Sequence, residues 1–491
     1  MAIWVIWQSS ISIASAQTWR IEPNSGFANS AETGGDVVFE ATPRLAITGR
    51  GAGYAVDGLV EADSLSYLRN TLSNEFIPKA SVAAKATALD RWLYLDAAAQ
   101  LEHATANPFS AASSATLPTA RQQVTQYRLS PFLDHAFTPS LSLLYRNDNV
   151  WTRASTNLAA ATERSDTELH SHSLAFTQLP LPFGFSLEAN QERTDFINSA
   201  SSRVELASVR GVLTYAVDPT LILGGVVGVE QNQIASSTSR DTIRGLRIRW
   251  RPTERTDLDA SAERRFYNNG WSVLWTHRSP FMAMNLNLAK QPASQPSSLL
   301  LSNSAGGDLR SLIDSAYSTR FPNPTERAVV VDNAIARLGP QADTTAPIAV
   351  FSDYAQLQRS AALSVAFLSP LSVLTLRLFA IESLQLQRPD APPLPLPPVS
   401  DDNAQLGTSV VLNRRLTSTL SAQAAVSGVK IEGRGTSQGQ VTTTKSAVLS
   451  ATRELTPKSR FLVGARRQLS TSNVVSPAQE TAAFLGVEHR F

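Results

Sequence analysis

The chain has 491 residues, with 43 Lys and Arg against 41 Asp and Glu and a formal net charge of +2, a balance that advertises no nucleic-acid partner. The absence of Cys removes disulfide frameworks, thiolate metal sites and Cys nucleophiles together. Hydrophobic residues make up 43%, yet no window approaches the roughly 20 consecutive apolar residues of a spanning helix, so a helical membrane protein is excluded.

At the amino terminus a short apolar stretch, Ile3-Trp-Val-Ile-Trp7 and Ile11-Ser-Ile-Ala14, runs into Ala14-Ser15-Ala16, the small-residue pattern of a leader cleavage site. Residues 1–16 therefore read as a signal peptide and residues 17–491 as the exported protein. From Gln17 onward, apolar and polar positions alternate in segments of about ten to fourteen residues, the period of half-buried strands. Leu93, Leu95, Ala97, Ala99 and Leu101 oppose Asp96, Gln100 and Glu102. Phe183, Phe185, Leu187 and Ala189 oppose Ser186, Glu188, Asn190 and Glu192. The clearest case sets Leu246, Ile248 and Trp250 against Arg247, Arg249 and Arg251, answered by Leu258, Ala260 and Ala262 against Asp257, Asp259 and Glu263. Small residues share the apolar face with Leu and Val, which lipid accepts more readily than a jigsaw-packed core does.

Connections alternate short and long. Arg50 to Gly53, Leu89-Asp-Arg91, Thr138-Pro139, Leu179 to Pro182, Asp218-Pro219, Pro252-Thr-Glu254, Ser279-Pro280, Ser369-Pro370, Leu416-Thr-Ser418 and Thr456-Pro457 are short, several with the Pro chemistry of tight turns. Between them lie longer polar loops, and in a bacterial outer-membrane barrel short turns are periplasmic and long loops external. Taking Trp19 to Ser30 as the first strand and residues 481–491 as the last gives an all-β fold, a large antiparallel transmembrane β-barrel of about 22 strands (20–22). Its last segment sets Leu485 and Val487 on one side and stops on Phe491, so these three residues are expected to close the barrel and carry its assembly signal.

One connection, residues 291–352, breaks the pattern as a helical loop or plug insertion. Leu309, Leu312, Ile313 and Ala316 recur at helical spacing behind Asp308 as cap. A second helix is expected from Asn323 and Pro324 through Val331, Ile335 and Leu338 to Gly339-Pro340. Ala391-Pro-Pro-Leu-Pro-Leu-Pro-Pro-Val399 reads as a stiff polyproline loop.

No phosphate loop, metal motif or nucleophile elbow is present in convincing form, so no catalytic residue, cofactor or metal is expected. His170 and His172 share one strand face without a third ligand nearby, and Asp134 and His135, being adjacent, point to opposite faces. The lumen face is charged with both signs: Arg210, Arg247, Arg249, Arg251 and Arg377 against Glu188, Glu192, Asp257, Asp259 and Glu263. Neighbouring rows of opposite charge are expected to pair across the ladder.

Several stretches in chain order carry a family resemblance: Trp19-Arg-Ile-Glu-Pro23, Phe39-Glu-Ala-Thr-Pro-Arg-Leu45 with Gly49, Asn107-Pro-Phe109, Tyr127-Arg-Leu-Ser-Pro131 and Asn323-Pro-Thr-Glu-Arg-Ala328. Together they resemble the PEP-CTERM-system-associated outer-membrane proteins found alongside exosortase and exopolysaccharide gene sets. The resemblance implies a conduit or surface platform for exopolysaccharide export or assembly in the outer membrane. The partners expected are outer-membrane lipid, the barrel-assembly machinery, the polymer and periplasmic export proteins. The alternatives are a porin for small solutes and, less favoured, an outer-membrane hydrolase. A siderophore-type transporter also uses 22 strands, but it needs an amino-terminal plug of well over a hundred residues, whereas strands here begin soon after Ala16.

Overall fold

A computed structural model describes residues 10–24, 36–69, 74–90, 92–105, 109, 121–156, 166–197, 203–234, 237–293, 313–314, 317, 327, 330–331, 354–386, 402–474 and 477–490. They form one antiparallel sheet of 22 strands, β1 to β22 in chain order. Each strand pairs with the next, and β1 (Ser10–Asn24) pairs with β22 (Ala478–Arg490), so the sheet closes on itself. Closure is what an antiparallel sheet needs to cross a bilayer, because it leaves no unpaired edge among lipid tails.

Strand alternation sorts the side chains. Leu246 on β12 (Ser237–Thr253) is 67% exposed and Val227 on β11 (Leu221–Ile234) is 66% exposed, while their chain neighbours Gly245 and Val226 turn inward. Similar outward residues recur around the wall, among them Leu187, Leu213, Leu449, Leu485 and Val487. An outward apolar band this continuous is covered only by lipid. The chain is an outer-membrane protein, and lipid is the partner of this surface.

The ten short turns expected from the sequence all lie at one end, each joining an even-numbered strand to the next. At Asp218-Pro219-Thr220 the carboxylate of Asp218 accepts hydrogen bonds from the Thr220 N–H (2.6 Å), the Thr220 hydroxyl (2.7 Å) and the Leu221 N–H (2.9 Å), which caps the turn. At the other end one connection escapes sequence reading. β13 (Thr256–Arg265) and β14 (Asn268–Ser279) are joined by Phe266 and Tyr267 alone, two buried aromatic residues where a polar loop is the usual sign. Asn268 completes the reversal in the left-handed region (φ 79°), which Asn tolerates.

The first strand also differs from expectation. It covers Ser10–Asn24, not residues 19–30, and takes in Ala14-Ser15-Ala16. Its register against β2 (Asp36–Arg50) runs without a break from Ser10↔Arg50 to Asn24↔Asp36, so the length of β2 sets that of β1. At the seam Trp19 is the backbone register partner of Val487, and Ile21 that of Leu485. Phe491 lies outside the described residues.

Next to the seam, Gly464 on β21 (Ser459–Ser472) is the register partner of Phe484, whose buried ring lies over it. A Cβ at Gly464 would stand 2.3 Å from the Phe484 ring and 2.6 Å from the Leu449 carbonyl oxygen. The ring can swing away but the backbone cannot. Gly464→Ala is therefore expected to cost about 2 kcal/mol, read as a lower urea midpoint of the folded barrel; an unchanged midpoint would show that the ladder absorbs a methyl there.

Between β15 (Met282–Ala293) and β16 (Gln356–Leu368), the described insertion residues Ile313, Asp314, Tyr317, Arg327, Val330 and Val331 are helical. The expected caps and stops at Asp308, Asn323, Pro324, Gly339 and Pro340 lie outside the described residues, as do Leu309, Leu312, Ala316, Ile335, Leu338 and the Pro-rich stretch 391–399. No described run amounts to a long helix. Ile313 and Val331 are fully buried, in a cluster with Ala283, Ala366, Leu368 and Val373. Those wall residues are inward-facing: Ala283 opposes Ala366, and Leu368 opposes Val373, on the side away from exposed Phe367. They also adjoin the short turns at residues 280–281 and 369–371, so an insertion leaving the barrel at its long-loop end is packed at the opposite end.

Candidate functional site in the barrel lumen

The densest inward constellation spans β9 (Phe183–Ile197), β10 (Arg203–Asp218), β11, β12 and β13. Register places Glu188 opposite Arg210, Arg210 opposite Gly228, Gly224 opposite Arg247, and Gly245 opposite Glu263. Glycine at the inward positions 224, 228 and 245 leaves a floor on which long side chains can lie along the wall. A Cβ at Gly245 would stand 2.8 Å from Glu263 Cγ, and one at Gly224 would stand 3.3 Å from Arg247 Cβ. Arg247 thereby reaches three strands away. Its guanidinium holds Glu188 with both nitrogens, one at 2.8 Å and one closer, and approaches Glu263 at 3.5 Å.

Arg210 sits between the same two carboxylates, 3.8 Å from Glu188 and 3.6 Å from Glu263, and its buried Nε makes no hydrogen bond. Arg265 binds Glu230 at 2.8 Å and approaches Glu263 at 3.6 Å. The Glu230 side chain is fully buried and also accepts from the Phe266 N–H at 2.6 Å. Tyr267 adds its ring, with the Arg265 guanidinium 5.7 Å from the centroid. Three arginines and three glutamates thus share one connected network. It lines a cavity of about 550 Å³ together with Ser186, Thr214, Ser261 and Tyr267.

Towards the short-turn end the same strands carry simpler pairs, Arg249 with Asp259 at 3.1 Å and Arg251 with Asp257 at 2.7 Å. Both are well exposed to the lumen and worth little energetically. Glu192 lies inward on β9 opposite Leu206, outside the network. Arg377 lies on β17 (Ser372–Gln385) opposite Ser364, also apart from it. Sequence reading omits Glu230, Arg265 and Tyr267. Glu230 follows the inward parity of Val226 and Gly228 and was legible by alternation; Tyr267 was hidden in the unread turn.

Charge pairing continues around the wall. Arg44 meets Glu61 at 2.8 Å, and Lys79 meets Asp63 at 3.0 Å. Arg146 meets Asp148 at 2.9 Å and Asp96 at 3.2 Å. At the long-loop end, outside the spanning strands, burial raises the Asp402 carboxyl above the usual carboxylate range, against the hydrogen bond donated by the Tyr354 hydroxyl at 3.1 Å.

His170 and His172 face outward and are engaged by amides, His170 with Asn149 at 2.8 Å and His172 with Asn147 at 2.8 Å. His135 stacks on Trp92 at 3.6 Å between centroids, on the face opposite Asp134. Among the described residues no group of three or more His, Asp or Glu is placed to hold a metal. What the lumen offers is an array of paired charges and hydroxyls, which can bind and screen polar solutes.

No family model matches the chain, and no curated protein matches it. Among solved structures it is similar to a mutant ferric enterobactin receptor from Pseudomonas aeruginosa, with 10% identity, 97% of this chain and 80% of that one covered, and a TM-score of 0.49. It is also similar to the ferric-catecholate import receptor Fiu from E. coli K12, with 8% identity, 98% and 82% coverage and a TM-score of 0.49. A third is the siderophore receptor PirA from Acinetobacter baumannii, with 8% identity, 98% and 80% coverage and a TM-score of 0.46. At these identities function does not travel with fold.

The comparisons correct the family reading. The short motifs resemble the PEP-CTERM-system-associated proteins, but no family model matches, and the similar structures are receptors for iron chelates. The exopolysaccharide conduit or platform, and the polymer and export proteins as partners, fall with it. The physical reason is visible in the motifs: residues 39–45 lie within β2, and residues 127–131 within β6 (Arg121–Ala136). Alternation and lipid contact constrain such residues in any barrel, so they mark the architecture and not the family.

Proposed function

We propose that the chain passes small polar solutes across the outer membrane through a lumen whose wall is the paired-charge network and whose short-turn end is obstructed by the helical insertion between β15 and β16, which starts after Ala293 and not at residue 291. The observation that carries this reading is the complete burial of Ile313 and Val331 against the inward residues Ala283, Ala366, Leu368 and Val373. An unobstructed cylinder of this strand number would be a wide leak; barrels of 22 strands are transporters with filled lumens. The ion pair between Arg327 and Asp314, at 2.9 Å, ties the insertion together across thirteen residues and supports its acting as one body. Solutes would enter from the long-loop end and meet Arg210, Arg247 and Glu263 above this floor. Because the wall carries both signs, neutral and zwitterionic solutes fit it better than strongly charged ones.

A second reading is capture and import of one bulky ligand, such as a ferric siderophore. Strand number favours it, since open porins have fewer strands. Both readings include export through a leader at residues 1–16, whose removal shortens β1 but keeps the seam pairing of residues 17–21 with β22, and insertion by the barrel-assembly machinery through Leu485, Val487 and Phe491. Planar-bilayer recording separates the readings. A solute channel shows small, frequent openings in the intact protein and a large steady conductance once residues 300–345 are removed. An intact protein that never conducts but binds a ferric catecholate favours the import receptor. A barrel equally silent before and after the deletion refutes the obstruction.

A further inference from the structure

Outside the lumen, one charged feature of the wall is unexplained by solute passage. Arg244 on β12 and Arg264 on β13 are direct register partners, and both face outward and are exposed. Like charges set directly opposite one another on a sheet destabilise the pair. Their outward neighbours bring no relief: Val227 across β11, Thr242 and Leu246 along β12, Ala262 along β13, and Asn269 across β14. No carboxylate stands on that face beside them, and among the described residues neither guanidinium has an ion-pair partner. Another like-charged register pair on this barrel does find relief: Arg359 is the register partner of Lys290 but holds Glu382 at 3.0 Å.

The position of the pair points to what neutralises it. Directly towards the short-turn end, the same face carries Leu246, Ile248 and Trp250 on β12 and Leu258, Ala260 and Ala262 on β13, the apolar band that lipid tails cover. Immediately beyond Arg264 the hairpin reverses at Phe266 and Tyr267, at the long-loop end. The two guanidiniums therefore stand at the external border of the band, where headgroups begin.

We propose that Arg244 and Arg264 clamp a phosphate of an outer-leaflet lipid headgroup. Two guanidiniums on adjacent strands can bracket one phosphate with charge-assisted hydrogen bonds while its acyl chains lie against Leu246 and Ile248. The repulsion in the bare ladder becomes attraction to a shared anion. The clamp is independent of whether the lumen conducts.

The test uses the full chain folded in phosphatidylcholine nanodiscs doped with diphosphorylated lipid A, with retention of the lipid on the protein followed by native mass spectrometry. Arg244→Gln with Arg264→Gln is expected to lower retention about thirtyfold. Lipid A stripped of its phosphates should be held equally by both proteins, and inorganic phosphate at matched phosphorus should not displace the lipid. Equal retention of diphosphorylated lipid A overturns the proposal, and displacement by inorganic phosphate overturns the lipid as the source. Arg264→Glu supplies an independent arm, because it turns the repulsive pair into an attractive one. It should raise the melting temperature in lipid-free neutral detergent while abolishing retention; a variant that still retains the lipid refutes the clamp even if the double variant fails to fold.

Discussion

Glu230→Ala is expected to destabilise the folded barrel by about 3 kcal/mol, because it leaves a largely buried guanidinium without its counter-charge. The Glu230 side chain is fully buried, and Arg265, which binds it at 2.8 Å, is 14% exposed. The loss has a second component, since the Phe266 N–H, bonded to Glu230 at 2.6 Å, would also be orphaned at the tip of the β13–β14 hairpin. Glu230→Gln keeps an acceptor for that N–H but not the charge, so it should cost about half as much. Urea titration of the refolded barrel, followed by tryptophan fluorescence, measures both. If Ala and Gln give the same small loss, Arg265 finds sufficient compensation in Glu263 at 3.6 Å and the network is redundant. The hairpin tip also forms the rim of the charged cavity, so a loosened Tyr267 should alter solute passage as well as stability.

The second large effect is expected at the contact between the insertion and the wall. Ile313→Asp combined with Val331→Asp places two carboxylates in a fully apolar cluster with Ala283, Ala366, Leu368 and Val373. Burying both without partners costs on the order of 4 kcal/mol. The insertion would leave the wall rather than bear that cost, shifting a closed-to-open equilibrium by about a thousandfold. Cells carrying the double variant should admit a bulky hydrophilic antibiotic that the wild type excludes, and purified protein should show a large steady bilayer current. Ile313→Val, which keeps the contact apolar, should leave both unchanged. If the aspartates leave permeability unchanged, the cluster is a local packing site and the obstruction lies elsewhere.

Lumen chemistry was legible one strand at a time. Arg247, Arg249 and Arg251 alternate with Leu246, Ile248 and Trp250, and period-two geometry alone sends the two sets to opposite faces. Partner choice was less accessible. Arg249 and Asp259 are register partners, a relation that a short turn between consecutive strands implies. Arg247 instead takes Glu188, 59 positions away, across three intervening ladders. That choice depends on the glycines at 224, 228 and 245 leaving the wall low between β9 and β12, and Glu188 comes within reach only after four strands have been aligned.

By itself, then, the amino-acid sequence determined the strand architecture, the outward apolar band and the inward placement of the charges. Each follows from local rules, the two-residue period of a strand and the chemistry of short turns, that act within a dozen residues. Only the tertiary structure decided the connected network around Glu263, the two-residue turn at Phe266 and Tyr267, the like-charged outward pair Arg244 and Arg264, and the packing of Ile313 and Val331 at the far end of the lumen. Those features depend on the register and curvature of a closed sheet, which bring together residues that no local period relates.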